Sequence, residues 1–392
     1  MTTVSEDLLA RARKLWLSSH ADMDEVERLY RAVHAQEKKG DNSSNNKKQK
    51  MLGDESDGAA ASEKLALLLC QSGRSQEAST ILSSLGYMCR LSSVVLDYPT
   101  THSHSTSITT EQQQQQQQSS SKTKQPPLAI LDNFLTNDEL QVLTNVFGNP
   151  ESSYWIDHNY QVEPPSPYFS YLIPLDKSDE FGFIGHLVQK CFHSLKKEFP
   201  LLSKNASAVE MWAHNRPHAS GHQMHFDSDN EGMGGVRNPI ISTILYITDG
   251  TGGPSLVTNQ KLVHGQLATK GWVSHAKEKR LVAFDGKVLH GVVPGKGSSD
   301  GDGRRVTLMF AFWKKIKVRE DGGAAQVFSS TGDWAKSLRR DFVGESETTS
   351  ECSSTIVSTP PTEIKPIYET LQGEAWTRDM GFPEYDKVFQ GF

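Results

Sequence analysis

The chain is poor in cysteine. Only Cys70, Cys89, Cys191 and Cys352 occur in 392 residues, and no two are spaced as a CxxC pair. That argues against a thiolate zinc site and a disulfide-stapled scaffold, and fits a reducing compartment. Long apolar runs are also missing: no stretch approaches the ~18 residues that a membrane-spanning helix needs. The opening "MTTVSEDLLARARKLWLSS" lacks a signal-peptide apolar core. Nor is there an excess of one charge strong enough to select a partner. The formal net charge of −6 sets up no basic field for nucleic acid. The expectation is an intracellular, soluble protein, cytoplasmic or nuclear, partnered by neither membrane nor nucleic acid.

What is present divides the chain into four parts. Residues 1–98 are expected to be a helical N-terminal region. Leu8, Ala12, Leu15 and Trp16 recur at helical spacing, and "SEKLALLLCQSGRSQEASTILSSLGY" (62–87) carries two periodic segments broken at Gly73. The pair resembles one unit of a tetratricopeptide-type repeat, but such arrays need about three units to bury a core. A small helical cap on the rest of the protein is expected, with a surface available to a protein partner. Within it, 38–60 is polar and expected to be a disordered insert. Residues 99–127 form a low-complexity Gln/Ser/Thr linker, also expected to be disordered.

From Leu128 the pattern changes. "LAILD" predicts a short apolar strand, and Thr136 with Glu139 matches the S/T-x-x-E capping box of a following helix. A second helix is predicted over 179–199. After Pro200 come short strands bounded by turn residues: "AVEMWAHN", "HQMHFD", "IISTILYIT", "SLVTNQ", "RLVAFDG", "VLHGVV" and "RRVTLMFAFW". Many short strands with turn signals argue for a sandwich or barrel. The fold class expected for 128–316 is an all-β core with flanking helices, α+β overall. Residues 317–392 form a C-terminal extension that includes a polar stretch at 343–362.

The densest chemistry lies in "GHQMHFDSDNEGMGG" (221–235). Asp227, Asp229 and Glu231 on alternate positions, with Gly232 sixth, open like a calcium loop. The twelfth position, which must supply a bidentate carboxylate, is Asn238. A helical zinc motif needs a glutamate between its histidines, and "HQMH" has none. Zinc through His225 stays open. In a strand, His225 and Asp227 point to the same side. A distant histidine would complete the two-histidine, one-carboxylate face of a non-haem iron(II) centre. Alone, the H-x-D pair is no different from a surface histidine and aspartate.

Three histidines lie downstream. His264 and His275 are expected to face solvent. His290 sits in the apolar strand of "RLVAFDGKVLHGVV", where an unpaired polar ring is costly and metal ligation would satisfy it. Beyond it, Arg305 and Thr307 share one face of "RRVTLMFAFW", opposite Val306, Leu308 and Phe310. An inward arginine beside a hydroxyl suits a carboxylate.

This ordered set resembles the iron(II)- and 2-oxoglutarate-dependent dioxygenases, and among them the prolyl-hydroxylase-like group, over roughly residues 128–316. "ILDNFLTNDEL", "HFD", "ILYITDGTGGPS", "LVAFDGKVLHGVVP" and "RRVT" stand in the family's order. The resemblance implies a double-stranded β-helix, or jelly roll. It places iron(II) on His225, Asp227 and His290, and the distal carboxylate of 2-oxoglutarate on Arg305 with Thr307 and Tyr246. Asn215 falls where some members carry a further co-substrate contact, often a tyrosine. Fifteen residues separate His290 from Arg305, longer than usual for the group and filled by "GKGSSDGDG", which reads as an extended hairpin loop near the substrate mouth. The implied reaction hydroxylates a carbon of a protein side chain, prolyl among the choices, or of a small molecule. Succinate and CO2 are co-products, with ascorbate as reductant. The other reading is a non-catalytic jelly-roll module for a metal, a ligand or a protein. Asp229 and Glu231 are expected at the mouth, where they would disfavour polyanions.

Overall fold

The computed structural model describes residues 4–18, 22–41, 57–99, 128–160, 168–229, 237–262, 265–296, 303–316, 325–329 and 355–392. The expected linker beyond residue 99, the middle of the expected insert (42–56) and residues 343–354 of the polar stretch lie outside the described residues. Among the described residues, no helix is long and apolar enough to cross a membrane.

Four helices come first: α1 (Val4–Trp16), α2 (Met23–Asp41), α3 (Asp57–Gln71) and α4 (Ser75–Ser84). Each packs on the next. Both ends of the expected insert are helical, since α2 runs to Asp41 and α3 begins at Asp57. Polarity was a poor guide there, because a helix needs only one apolar face and Ala59–Ala61 are strong helix formers. Their shared core includes Trp16, whose ring meets Tyr30 edge-on at 5.6 Å, with Leu29, Val33, Leu65 and Leu69 fully or nearly fully buried. A short strand β1 (Cys89–Leu91) and helix α5 (Ser93–Leu96) end the region.

The second part begins with β2 (Leu128–Asp132) and α6 (Asn137–Leu143). The capping box forms as expected: Glu139 N donates to Thr136 Oγ1 at 3.1 Å, and Thr136 N donates to Glu139 Oε2 at 2.7 Å. There follow α7 (Ser153–Asp157), β3 (Tyr168–Pro174), α8 (Gly182–Leu195) and α9 (Pro200–Asn205). The helix expected from 179 starts later because 175–181 winds as a tighter 3-10 turn. Strands β4 (Ala208–Pro217), β5 (His222–His225), β6 (Ile241–Tyr246), β7 (Ser255–Lys261), β8 (Gly271–Ser274), β9 (Leu281–Asp285), β10 (Val288–Val292), β11 (Arg304–Trp313) and β12 (Ala325–Ser329) follow. The chain closes with β13 (Val357–Thr359), β14 (Thr362–Ile364), β15 (Tyr368–Thr370) and β16 (Val388–Phe389).

These strands make an eight-stranded sheet in the order β12-β3-β4-β11-β6-β9-β2-β13 and a five-stranded sheet in the order β14-β8-β7-β10-β5. Alternation sorts their side chains into layers. On β11, Val306, Leu308, Phe310 and Phe312 join the helix-side core with Leu187, Val188 and Leu195 of α8. Met309 points the other way, into a core between the sheets with Ile244, Tyr246, Phe284, Val257 and Val288. The far face of the smaller sheet, through Met224, Leu256 and Leu289, joins the core of α1–α5. The layers therefore run helices, large sheet, small sheet, helices.

The C-terminal segment ties these layers together. Strand β13 pairs with β2, β14 with β8, and β15 and β16 flank β1 in a third sheet. Central strands buried on both faces carry the stability. Phe310 is 0 % exposed in the middle of β11, so Phe310→Ala is expected to cost about 3–5 kcal/mol in a denaturant melt. A loss below about 1 kcal/mol would contradict this account of the helix-side core.

Candidate metal centre

Two neighbouring strands of the small sheet bring the site together. Strand β5 pairs antiparallel with β10, and His225 is the direct partner of His290. Their rings lie 4.4 Å apart. Asp227 follows two residues after His225 and sends its carboxylate to the same side. Asp227 Oδ1 is 3.5 Å from both His225 Nε2 and His290 Nε2. One atom from each residue falls within a set spanning no more than 4.8 Å. Met224, before His225, and Phe226, between His225 and Asp227, face the N-terminal core instead.

The surroundings orient each ring. His225 Nδ1 lies 2.8 Å from Gln223 O, and His290 Nδ1 lies 3.0 Å from Val288 O. A carbonyl only accepts, so each Nδ1 is the protonated nitrogen and each Nε2 is turned toward Asp227. Backbone carbonyls at this distance commonly set the tautomer of a metal-binding histidine. Ser242 Oγ donates to Asp227 Oδ2 at 2.5 Å, and Asn238 Nδ2 donates to Asp227 O at 2.6 Å. Two histidine nitrogens and a carboxylate oxygen then share one small volume, a donor set suited to a divalent transition metal.

The cavity beside them takes in about 560 Å³ of empty space, its opening to solvent included. Its opposite wall is the large sheet, where β4 and β11 pair antiparallel in the register Trp212–Met309, His214–Thr307 and Arg216–Arg305. All six line the cavity. The expected shared face of Arg305 and Thr307 is the inward one. Arg305 is 9 % exposed and Thr307 1 %. Arg305 Nε and Thr307 Oγ1 are buried without a hydrogen-bond partner. The Arg305 stem passes Gly252, where φ is +81° and a Cβ would sit 2.9 Å from Arg305 Cδ, so glycine keeps that passage open.

Other expected residues fall differently. Tyr246 stands on the same face, but its hydroxyl meets Ser255 Oγ at 2.7 Å and donates to Ser274 O at 3.2 Å. It meets Arg305 through its ring, 5.9 Å from the guanidinium carbon, rather than offering the hydroxyl to a carboxylate. Asn215 faces away from the cavity. Its amide donates to Phe147 O and Gly148 O, and Arg304 donates to its side chain and to Asn215 O. Strand parity explains the difference: His214 and Arg216 take the inward positions on either side. His275 is not solvent-facing but partly buried, its ring 5.8 Å from Tyr98. His264 and Glu231 lie outside the described residues, as does most of the loop before Arg305 (297–302). Asp229 pairs with Arg237 at 2.7 Å and its side chain is fully enclosed, so it does not present a free charge at the mouth.

A fourth histidine also faces the cavity. His222 stacks on His225 with centroids 4.5 Å apart and planes at 24°. Strict alternation would put residues three apart on opposite faces. The register shifts by one between His290–His225 and Val292–His222, and this bulge in β5 turns His222 inward. His214 follows, 5.5 Å from His222. Burial is the main cause that holds both rings well below the ordinary histidine value, with neighbouring His225 and Arg216 adding to it.

No protein-family model and no curated protein sequence matches the chain. Among the solved structures similar to it are prolyl hydroxylases and 2-oxoglutarate/iron(II) oxygenases. A prolyl-4-hydroxylase of Pseudomonas putida aligns at 16% identity and TM-score 0.30, covering 48% of this chain and 88% of that one. The viral collagen prolyl hydroxylase of Paramecium Bursaria Chlorella virus-1 aligns at 15% identity and TM-score 0.30, covering 48% and 90%. HygX of Streptomyces hygroscopicus, solved with nickel and 2-oxoglutarate, aligns at 10% identity and TM-score 0.30, covering 50% and 86%.

The metal-free site sets a pH dependence. Burial works against the Asp227 carboxylate, but His290 and His225 outweigh it and hold the carboxyl well below its ordinary value. Burial also opposes charge on His290, yet Asp227 raises its pKa above the usual histidine value. The Asp227 contribution to stability is therefore present above the unfolded carboxylate value of about 4 and lost as pH falls through its lower folded value. The His290 contribution is present below about 6.5 and lost as pH rises through its raised folded value. A divalent metal must displace the His290 proton. Zn2+ affinity is accordingly expected to rise between about pH 6 and pH 8, with proton release measurable by calorimetry in buffers of different ionisation heat. Affinity that is flat across that window would count against this site.

Proposed function

We propose that the chain is an iron(II)- and 2-oxoglutarate-dependent dioxygenase that hydroxylates a carbon of its substrate. One observation carries this reading. The cavity that receives His225, Asp227 and His290 from the small sheet also receives, from the large sheet, a buried arginine and a buried threonine with unsatisfied polar atoms. A buried unpaired donor is costly. A pair of them facing a metal-binding donor set is what an anionic, metal-chelating co-substrate would satisfy. A metal-binding module without a co-substrate leaves Arg305 and Thr307 with nothing to bind. In this reading the two facing sheets are the halves of a double-stranded β-helix, with the metal at its mouth.

The residues fit the implied group. His225, Asp227 and His290 would hold iron(II) on one face and leave the cavity side open to ligands. Bound there with 2-oxoglutarate, the metal would supply the chemistry that consumes dioxygen, one oxygen atom passing to 2-oxoglutarate as it becomes succinate and CO2 and the other to the hydroxylated substrate carbon. The chain's own part is positional. Asp227 offsets charge at the metal and is itself held by Ser242 and Asn238. Arg305, steadied by the Tyr246 ring, presents a planar fork to the distal carboxylate, and Thr307 adds a hydroxyl donor. Trp212, Ile244 and Met309 line the same cavity. They lower its polarity and so strengthen these charge-assisted contacts. The substrate is a protein side chain, prolyl among the choices, or a small molecule.

The test is turnover. Iron-loaded protein given 2-oxoglutarate, ascorbate and air, with and without cell extract, is expected to form succinate, read by NMR. Asp227→Ala should abolish it. Thr307→Val removes one hydrogen bond worth about 1 kcal/mol, so the KM for 2-oxoglutarate should rise about fivefold with a smaller change in kcat. Iron-loaded wild-type protein that never makes succinate under these conditions would sink the proposal.

A further inference from the structure

The cavity holds one more cation than the proposed co-substrate needs. Arg216 is the direct cross-strand partner of Arg305, so the two side chains leave one face with Cβ atoms about 5 Å apart. Like charges opposite one another in a sheet repel. Among the described residues that line the cavity, Asp227 is the one acid, and it stands on the metal side. Arg216 Nη1 donates to Gly221 O at 3.2 Å, while its Nε is buried with no partner. His214 and His222 continue this part of the wall, with ring centroids 5.5 Å apart. The bulge in β5 is what brings His222 here.

Charge decides what this arrangement can hold. The two arginines and a divalent metal outweigh Asp227 by three positive charges. The dianion 2-oxoglutarate removes two and leaves one. A site with Arg305 alone would be neutral once loaded; this one is not. An uncompensated, half-buried guanidinium with a buried unpaired Nε is unfavourable, and one further negative charge resolves it. A planar, two-oxygen carboxylate matches the arginine fork and supplies the single charge, whereas a phosphate dianion would overshoot the balance by one.

We propose that Arg216, flanked by His214 and His222, forms a second anion subsite, and that it binds a carboxylate of the molecule to be oxidised. The charge balance and the oxidation rest on the oxygenase reading; the unpartnered Nε of Arg216 does not. The carboxylate can belong to a free small acid or to a peptide, and the test separates the two.

The experiment uses the full chain loaded with Zn2+, which is redox-inert, and saturated with 2-oxoglutarate. Propionate, propionamide, the tripeptide Ala-Pro-Gly and its C-terminal amide are titrated in turn, with binding read by ligand-observed NMR. The acids are expected to bind and the amides not. Propionate without the peptide assigns a small acid, and the peptide with propionate assigns a chain carboxylate. Arg216→Gln should weaken acid binding about tenfold, the effect of one charge-assisted contact, and change 2-oxoglutarate affinity less than about threefold. Arg305→Gln should do the reverse. Arg216→Lys, which keeps the charge, should retain the preference for acid over amide and guards against a folding defect. The proposal is overturned if Arg216→Gln weakens 2-oxoglutarate as much as Arg305→Gln does, since Arg216 would then belong to the co-substrate. It is equally overturned if amides bind as well as acids. Should wild-type protein take up no 2-oxoglutarate, the oxygenase reading fails. The same titrations on the Zn2+ protein alone then decide the subsite by whether acid selection depends on Arg216.

Discussion

Everything at this site depends on the pairing of His225 with His290 across two strands. Neither residue is near the other in sequence, and β5 is only four residues long at the edge of its sheet. A short edge strand has one neighbour to hold its register. The far side of β5 is held by the last residues of the chain instead. Gln390 Oε1 accepts from Met224 N at 2.9 Å, and Tyr385 donates to Gln223 Oε1 at 3.1 Å. The Phe392 ring occupies the space where a Cβ on Gly221 would stand. The same tail pairs β16 with β1, so the N-terminal helices, β5 and the C-terminal segment lock one another in place.

The second constraint is electrostatic. Two arginines, four histidines and one carboxylate face a cavity whose remaining lining is largely apolar. Low local polarity makes each charge costly alone and valuable once paired. Burial holds His214 and His222 well below the ordinary histidine value, while Asp227 outweighs burial and raises His290 above it. The histidines thus divide into His225 and His290 beside the carboxylate and His214 and His222 beside Arg216.

Much of this was legible in the sequence because it depends on alternation alone. H-x-D on a strand places two side chains on one face, and R-x-T does the same on β11 without any knowledge of the partner strand. His290 stood out as the polar residue in an apolar strand. The capping box of α6 is local and was legible for the same reason. What escaped depends on irregularity or on distant chain. The bulge that turns His222 inward is a register shift between strands, and nothing in "GHQMH" announces it. A count of ten residues back from His225 lands on Asn215 rather than on its inward neighbours, because it crosses a turn and loses strand parity. The signal that would have found Arg216 was its shared parity with Trp212 and His214 in "WAHNRP". The Tyr246 hydroxyl is taken up by Ser255 and Ser274, on two other strands that its own sequence neighbourhood does not reveal.

The central claim is that the triad and Arg305 bind one metal–co-substrate complex. An anaerobic titration of metal-free protein with iron(II) and then 2-oxoglutarate tests it most directly, by the visible metal-to-ligand charge-transfer band. The account predicts a band in wild-type protein that is absent in Asp227→Ala and weaker in Arg305→Ala. Iron that binds at His225, Asp227 and His290 but gives no band on adding 2-oxoglutarate would contradict it.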